Sequence, residues 1–68
     1  MSDDIVEVRL EIEVLNHELL AQTIRQLHAQ GRAAEVALTD DAEAAAEVIN
    51  AGIPFGDAGL ELVHWETP

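Results

Sequence analysis

From Ile5 to Val14 apolar and charged residues alternate strictly. Val6, Val8, Leu10, Ile12 and Val14 fall on one side, and Glu7, Arg9, Glu11 and Glu13 on the other. Side chains of a strand point to opposite faces in turn, so this pattern predicts a strand over 5–14 with one face to be covered and one acidic face left in water. The pattern then changes period. Leu20, Ile24 and Leu27 recur at i, i+4 and i+7, with Leu19 alongside, which is the apolar stripe of an amphipathic helix. Asn16 is a suitable N-cap for it, Glu18 sits in its first turn, and Gly31 is a suitable residue just past its end. The helix is therefore expected to run for about 15 residues and stop at Gly31.

Arg32–Leu38 is ambiguous. Ala34, Val36 and Leu38 alternate with Glu35 and Ala37, which favours a short strand over 33–38, although so much alanine suits a helix almost as well. Thr39-Asp40-Asp41-Ala42-Glu43 is a strong helix start, because a capping side chain is followed three residues later by Glu43. That second helix should end at Gly52, with an apolar stripe of Ala42, Ala45, Ala46 and Ile49 and with Val48 at its edge. The segment 52–59 holds three glycines and Pro54 and reads as a loop. Leu60–Trp65 reads as a last strand, with Leu60 and Leu62 on one side and Val63 and Trp65 on the other.

The expected architecture is a small two-layer α/β (α+β) domain in the order β-α-(β)-α-β. Two helices pack on one face of a two- or three-stranded sheet, with parallel strands if the crossovers are right-handed. The alternative order is β-α-α-β, with the end strands antiparallel and the helices as a hairpin above them. Residues 1–68 form one domain, with 1–4 a flexible acidic lead-in and 66–68 a flexible tail. No repeat or low-complexity linker divides it.

Size and composition narrow the function classes. A 68-residue chain buries only about 60% of the surface its unfolded form exposes, so dimerisation or a partner is a natural source of further burial. Eleven residues are alanine, and Phe55 and Trp65 are the only aromatics, so the core must be thin. There is no cysteine, hence no disulfide or thiolate site. No apolar run is long enough to span a bilayer, and the start Met1-Ser-Asp-Asp lacks the basic region of a signal peptide. A soluble, cytoplasmic protein is expected, with no membrane partner.

Charge is the strongest global signal. Fourteen acidic residues face three arginines and no lysine, for a net charge of −11. The acid is concentrated at the first strand, the second helix and the C-terminal third, while residues 15–38 balance to zero. Direct nucleic-acid binding is disfavoured, since phosphates require a basic patch. A basic protein surface is favoured, because complementary potentials steer encounter.

The chain carries no catalytic or metal motif. His17 and His28 share one side of the first helix but lie about 16 Å apart along it, too far to share an ion. His64 and Glu66 could both reach one ion, but two ligands do not make a site. Asp40, Glu43 and Glu47 recur at helical spacing and read as a solvated face, with no apolar pocket around them to raise a carboxyl pKa. Gly56-Asp57-Ala58-Gly59 lacks the lysine of a phosphate loop. No enzyme, cofactor or metal is expected.

The partner-binding residues expected are Glu7, Glu11, Glu13, Asp40, Glu43 and Glu47 for a basic surface, with Phe55 and Trp65 as aromatic anchors. In its sharpest form the protein would mimic nucleic-acid phosphate and block a nucleic-acid-binding or defence complex. The chain resembles small phage- or plasmid-borne inhibitors in character, though by no motif. Glu11 and Glu13 sit one two-residue step of about 7 Å apart, near the repeat of phosphates along one strand, with Glu7 two such steps before Glu11. Self-association as a homodimer through an edge strand or Trp65 is also expected. The alternative is a salt-adapted regulatory or ligand-binding domain, whose acidity reports its environment alone.

Overall fold

A computed structural model describes residues 4–67. Its elements are strand β1 (Arg9–Val14), helix α1 (His17–Ala29), a 3₁₀ turn (Glu35–Leu38), helix α2 (Asp41–Ala51), a second 3₁₀ turn (Phe55–Ala58) and strand β2 (Leu60–Glu66). The order is β-α-α-β, and β1 pairs antiparallel with β2 in a two-stranded sheet packed with the two helices. The parallel three-stranded arrangement is therefore not adopted. Of the expected lead-in over 1–4 and tail over 66–68, residues 1–3 and 68 lie outside the described residues, and Glu66 is the last residue of β2.

The helix caps form where the side chains invite them. Asn16 accepts a hydrogen bond from the Leu19 amide at 3.0 Å and opens α1. Asp40 accepts from the amides of Ala42 at 2.9 Å and Glu43 at 3.5 Å and opens α2. Each bond satisfies an amide that the first helical turn leaves without a partner. Leu20, Ile24 and Leu27 form the buried stripe of α1. They meet Ala33, Ala37, Ala44, Val48, Ala58 and Leu60 in one core, where Ile24 and Val48 are the largest fully buried side chains. Four of these nine residues are alanine, so the layers approach closely over a thin core.

Three expectations are corrected. The segment 33–38 is not a strand. Ala33 and Ala37 point into the core four residues apart, and the Ala34 carbonyl accepts from the Ala37 amide at 3.1 Å, which is 3₁₀ geometry. The buried side of α2 is Ala44 and Val48, with Ala45 and Ala51 half-buried, while Ala42, Ala46 and Ile49 are exposed. Both stripes are apolar, and the one carrying Ala44 and Val48 faces the core while Ile49 is left exposed. The first strand begins at Arg9 rather than Ile5, because the ladder ends where Arg9 meets Glu66.

Strand β2 carries a bulge. Glu11 pairs with His64 and Ile12 with Leu62, which leaves Val63 as the extra residue. The bulge restores the phase of β2. Trp65 therefore lies opposite Leu10, on the same face as Leu62 opposite Ile12 and Leu60 opposite Val14. Simple alternation had assigned Trp65 to the other side. Apart from the bulged Val63, the paired residues give the sheet one apolar face and one polar face.

The corner joining β1 to α1 is held by Gly59. Its carbonyl accepts from the amides of Leu15 at 2.8 Å and Asn16 at 3.1 Å. Its φ is +73°, and a Cβ there would lie 2.5 Å from the Asn16 carbonyl oxygen. Only glycine fits a left-handed conformation with so close an approach.

Candidate functional site

The polar face of the sheet collects six charged or titratable side chains on three rungs: Arg9 with Glu66, Glu11 with His64, and Glu13 with Glu61. All six are exposed. At one end Arg9 lies 3.6 Å from Glu66, and His64 approaches the other oxygen of Glu66 at 3.7 Å. At the other end Glu13 and Glu61 stand directly opposite each other, and neither has an ion-pair partner among the described residues. Like charges in that position repel, at a cost of about 0.2–1 kcal/mol. The face thus grades from a compensated end to an uncompensated acidic end beside the Gly59 corner. Glu7 precedes β1 and is exposed, in line with the alternation that places Glu11 and Glu13 on this face.

The remaining residues expected to bind a partner lie elsewhere. The apolar side of the sheet meets the helices through Ile12, Val14 and Leu60, so the carboxylates of β1 point away from the helical layer. Glu43 and Glu47 belong to that layer and do not join the sheet's acidic face. Asp40 is occupied by its two capping hydrogen bonds. Phe55 is half-buried against the core. Trp65 is 61% exposed and stands at the far end of the apolar face. Glu61 and Glu66 were not among the expected residues. The alternation of Leu60, Glu61 and Leu62 contains the signal for Glu61, but it pairs with Glu13 only in the antiparallel arrangement.

The histidines have separate surroundings. His28 Nδ1 lies 3.0 Å from the Ala33 carbonyl oxygen, so an Nδ1–H donates there and ties the end of α1 to the following turn. His17 reaches Asp41 at 3.6 Å across the two helix starts. No group of three or more histidine, aspartate or glutamate side chains arranged to hold a metal ion occurs among the described residues. No helix among them is long and apolar enough to cross a membrane.

A second surface is apolar. Leu10, Ile12 and Val14 of β1 face Ala42, Ala45, Ala46 and Ile49 of α2 across an open groove of about 400 Å³. Val8 and Val6, which precede the ladder, are exposed as well, Val6 at 75%. The sheet therefore offers solvent a carboxylate face on one side and an incompletely covered apolar face on the other.

Comparison with known proteins finds no match: no family model fits the chain, and no curated protein or solved structure is significantly similar to it.

Proposed function

We propose that this chain is a small, non-enzymatic interaction domain whose carboxylate face on β1 and β2 occupies a basic site on a partner protein. In its sharpest form the face takes the place of nucleic-acid phosphate and blocks a nucleic-acid-binding or defence complex. The observation that carries this reading is the acidic end of that face, where Glu13 and Glu61 stand opposed with no ion-pair partner among the described residues. A basic partner would relieve that repulsion, and the encounter would be accelerated by the net charge of −11.

The distribution of acid supports the same reading over one of environmental adaptation. Acid that served only to hold water and salt would cover every exposed surface. Residues 19–34 contain no acidic residue, and the exposed side of α1 carries Gln22, Arg25, Gln26 and Gln30 instead.

The test is retention of lysate proteins by tagged wild-type protein and by the Glu11→Gln, Glu13→Gln, Glu61→Gln triple variant, at about 0.1 M and about 1 M salt. A nucleic-acid-binding protein held by the wild type at low salt, lost at high salt and lost by the folded variant is the expected result. Equal retention by both proteins, or by neither, overturns the proposal.

A further inference from the structure

We infer that the free edge of β1 pairs with the same edge of a second copy of this chain, about a two-fold axis passing beside Val8. The ladder between β1 and β2 ends at Arg9 and Glu66, so Ile5–Val8 lie beyond the last rung with no ladder partner among the described residues. Ile5 and Val6 are each about three-quarters exposed, and Val8 and Leu10 are exposed as well. An apolar segment leading into an open strand edge is a template for pairing, and a two-stranded sheet gains most from further strands.

Charge selects the occupant and the register. In an antiparallel pair, opposite residues share a face, so the apolar faces of two copies merge only where even-numbered residues oppose even-numbered ones. Setting Val8 opposite itself places Val6 against Leu10 and sets Glu7 against Arg9 twice, once on each side of the axis. Over residues 5–11 this register has no acid facing acid. Centring on Glu7 opposes the two Glu7 carboxylates. Centring on Arg9 opposes the two guanidinium groups and twice sets Glu7 against Glu11. Centring on Leu10 sets Arg9 against Glu11 but also twice sets Glu7 against Glu13. Cross-strand pairs of opposite charge stabilise a ladder and like pairs destabilise it, so the register centred on Val8, the one that pairs Glu7 with Arg9 on both sides of the axis, is favoured over those centred on Glu7, Arg9 and Leu10.

The product is a four-stranded antiparallel sheet with isologous symmetry. Its apolar side joins the two grooves through Val6, Val8 and Leu10 of both copies. Its other side carries both carboxylate rows as one face. The inference stands apart from the proposed partner, because self-pairing uses the edge of β1 and leaves Glu11, Glu13 and Glu61 facing solvent.

The experiment combines sedimentation with cysteine cross-linking. The chain has no cysteine, so each single introduced thiol reports alone. Sedimentation of the full chain up to about 1 mM, at about 0.1 M and about 1 M KCl, should show a species of twice 7.4 kDa, favoured at the higher salt, where repulsion between the two chains is screened. Under mild oxidation Val8→Cys should form the intermolecular disulfide, since residues opposed across an antiparallel ladder have Cα atoms within disulfide range. Val6→Cys and Leu10→Cys should cross-link at least tenfold more slowly, because each lies about four rungs, roughly 14 Å, from its own mate. Glu7→Arg should weaken association about tenfold, and adding Arg9→Glu should restore it, with far-UV circular dichroism confirming the fold. A 7.4 kDa species throughout, or fastest cross-linking at position 6 or 10, overturns the inference.

Discussion

Gly59→Ala should remove most of the stability of this domain, and the structure separates the two reasons. The first is conformational. Gly59 has φ +73°, and an L-residue there costs roughly 1–2 kcal/mol, offset by about 0.4–1 kcal/mol from the stiffer unfolded chain. The second is steric. The new Cβ would stand 2.5 Å from the Asn16 carbonyl oxygen and 3.0 Å from the Asn16 Cβ. That carbonyl also accepts the first backbone bond of α1, from Leu20 at 3.1 Å, so it cannot retreat without loosening the helix start. Forcing an extra carbon into such a contact costs typically about 1–3 kcal/mol. The total, roughly 1–4.5 kcal/mol with a midpoint near 3, compares with the 3–5 kcal/mol that a single core of this size supplies. Gly31→Ala isolates the steric part, because Gly31 has φ +72° but open space where its Cβ would be. Urea denaturation followed by far-UV circular dichroism at fixed salt should place Gly31→Ala within about 1 kcal/mol of wild type and Gly59→Ala well below both. If the two variants differ by less than about 0.5 kcal/mol, the contact with Asn16 contributes nothing and the reasoning fails.

Other substitutions probe the remaining joints of the fold. Ile24→Ala, at the centre of the core, should cost about 2–4 kcal/mol by chemical denaturation, while Val36→Ala, half-exposed on the 3₁₀ turn, should cost less than about 0.5 kcal/mol. Asp40→Ala should cost about 1 kcal/mol through loss of the α2 cap, and Asp40→Asn, which keeps a capping oxygen, should recover most of it. Glu13→Gln should stabilise by about 0.2–1 kcal/mol, since it removes the like-charge pair with Glu61, and a destabilised variant would contradict the register. The melting temperature should rise between about 0.1 M and 1 M KCl as repulsion within a chain of charge −11 is screened, and a flat response would contradict that account.

What was legible in the sequence was local. Asn16 and Asp40 cap because a short polar side chain can reach amides two or three residues ahead, whatever the tertiary fold does. Leu20, Ile24 and Leu27 are buried because three large apolar groups on one helical stripe leave no other choice. The misreadings arose where neighbours in space decide. Alanine is acceptable in strand, helix and 3₁₀ turn, so 33–38 took the form that points Ala33 and Ala37 inward together. In α2 two apolar stripes competed, and only packing against the rest of the fold distinguishes them. The bulge at Val63 has no local signature, because it exists to keep Trp65 and Leu62 on one face while the partner strand runs regularly. For the same reason the candidate face was half legible. The carboxylates of β1 follow from alternation, whereas Glu61 and Glu66 join them only through an antiparallel ladder.

The two faces of the sheet also constrain each other. A two-stranded ladder is weak by itself, and here the helices cover only the end formed by Ile12, Val14 and Leu60, leaving Leu10 and Trp65 toward solvent. Replacing those residues with polar ones would be the simple way to keep such a surface monomeric, yet the polar residues are confined to the opposite face. An edge that carries apolar groups on one side and Glu7 and Arg9 on the other is better suited to pairing than to isolation, because Arg9 is the one cation in the run and sits two residues from an acid of matching reach. Pairing in that register uses the charge of Arg9 locally and leaves the Glu13 and Glu61 ends of both copies uncompensated and facing the same way. Covering the apolar face and presenting a larger acidic face to a partner would then follow from a single strand pairing.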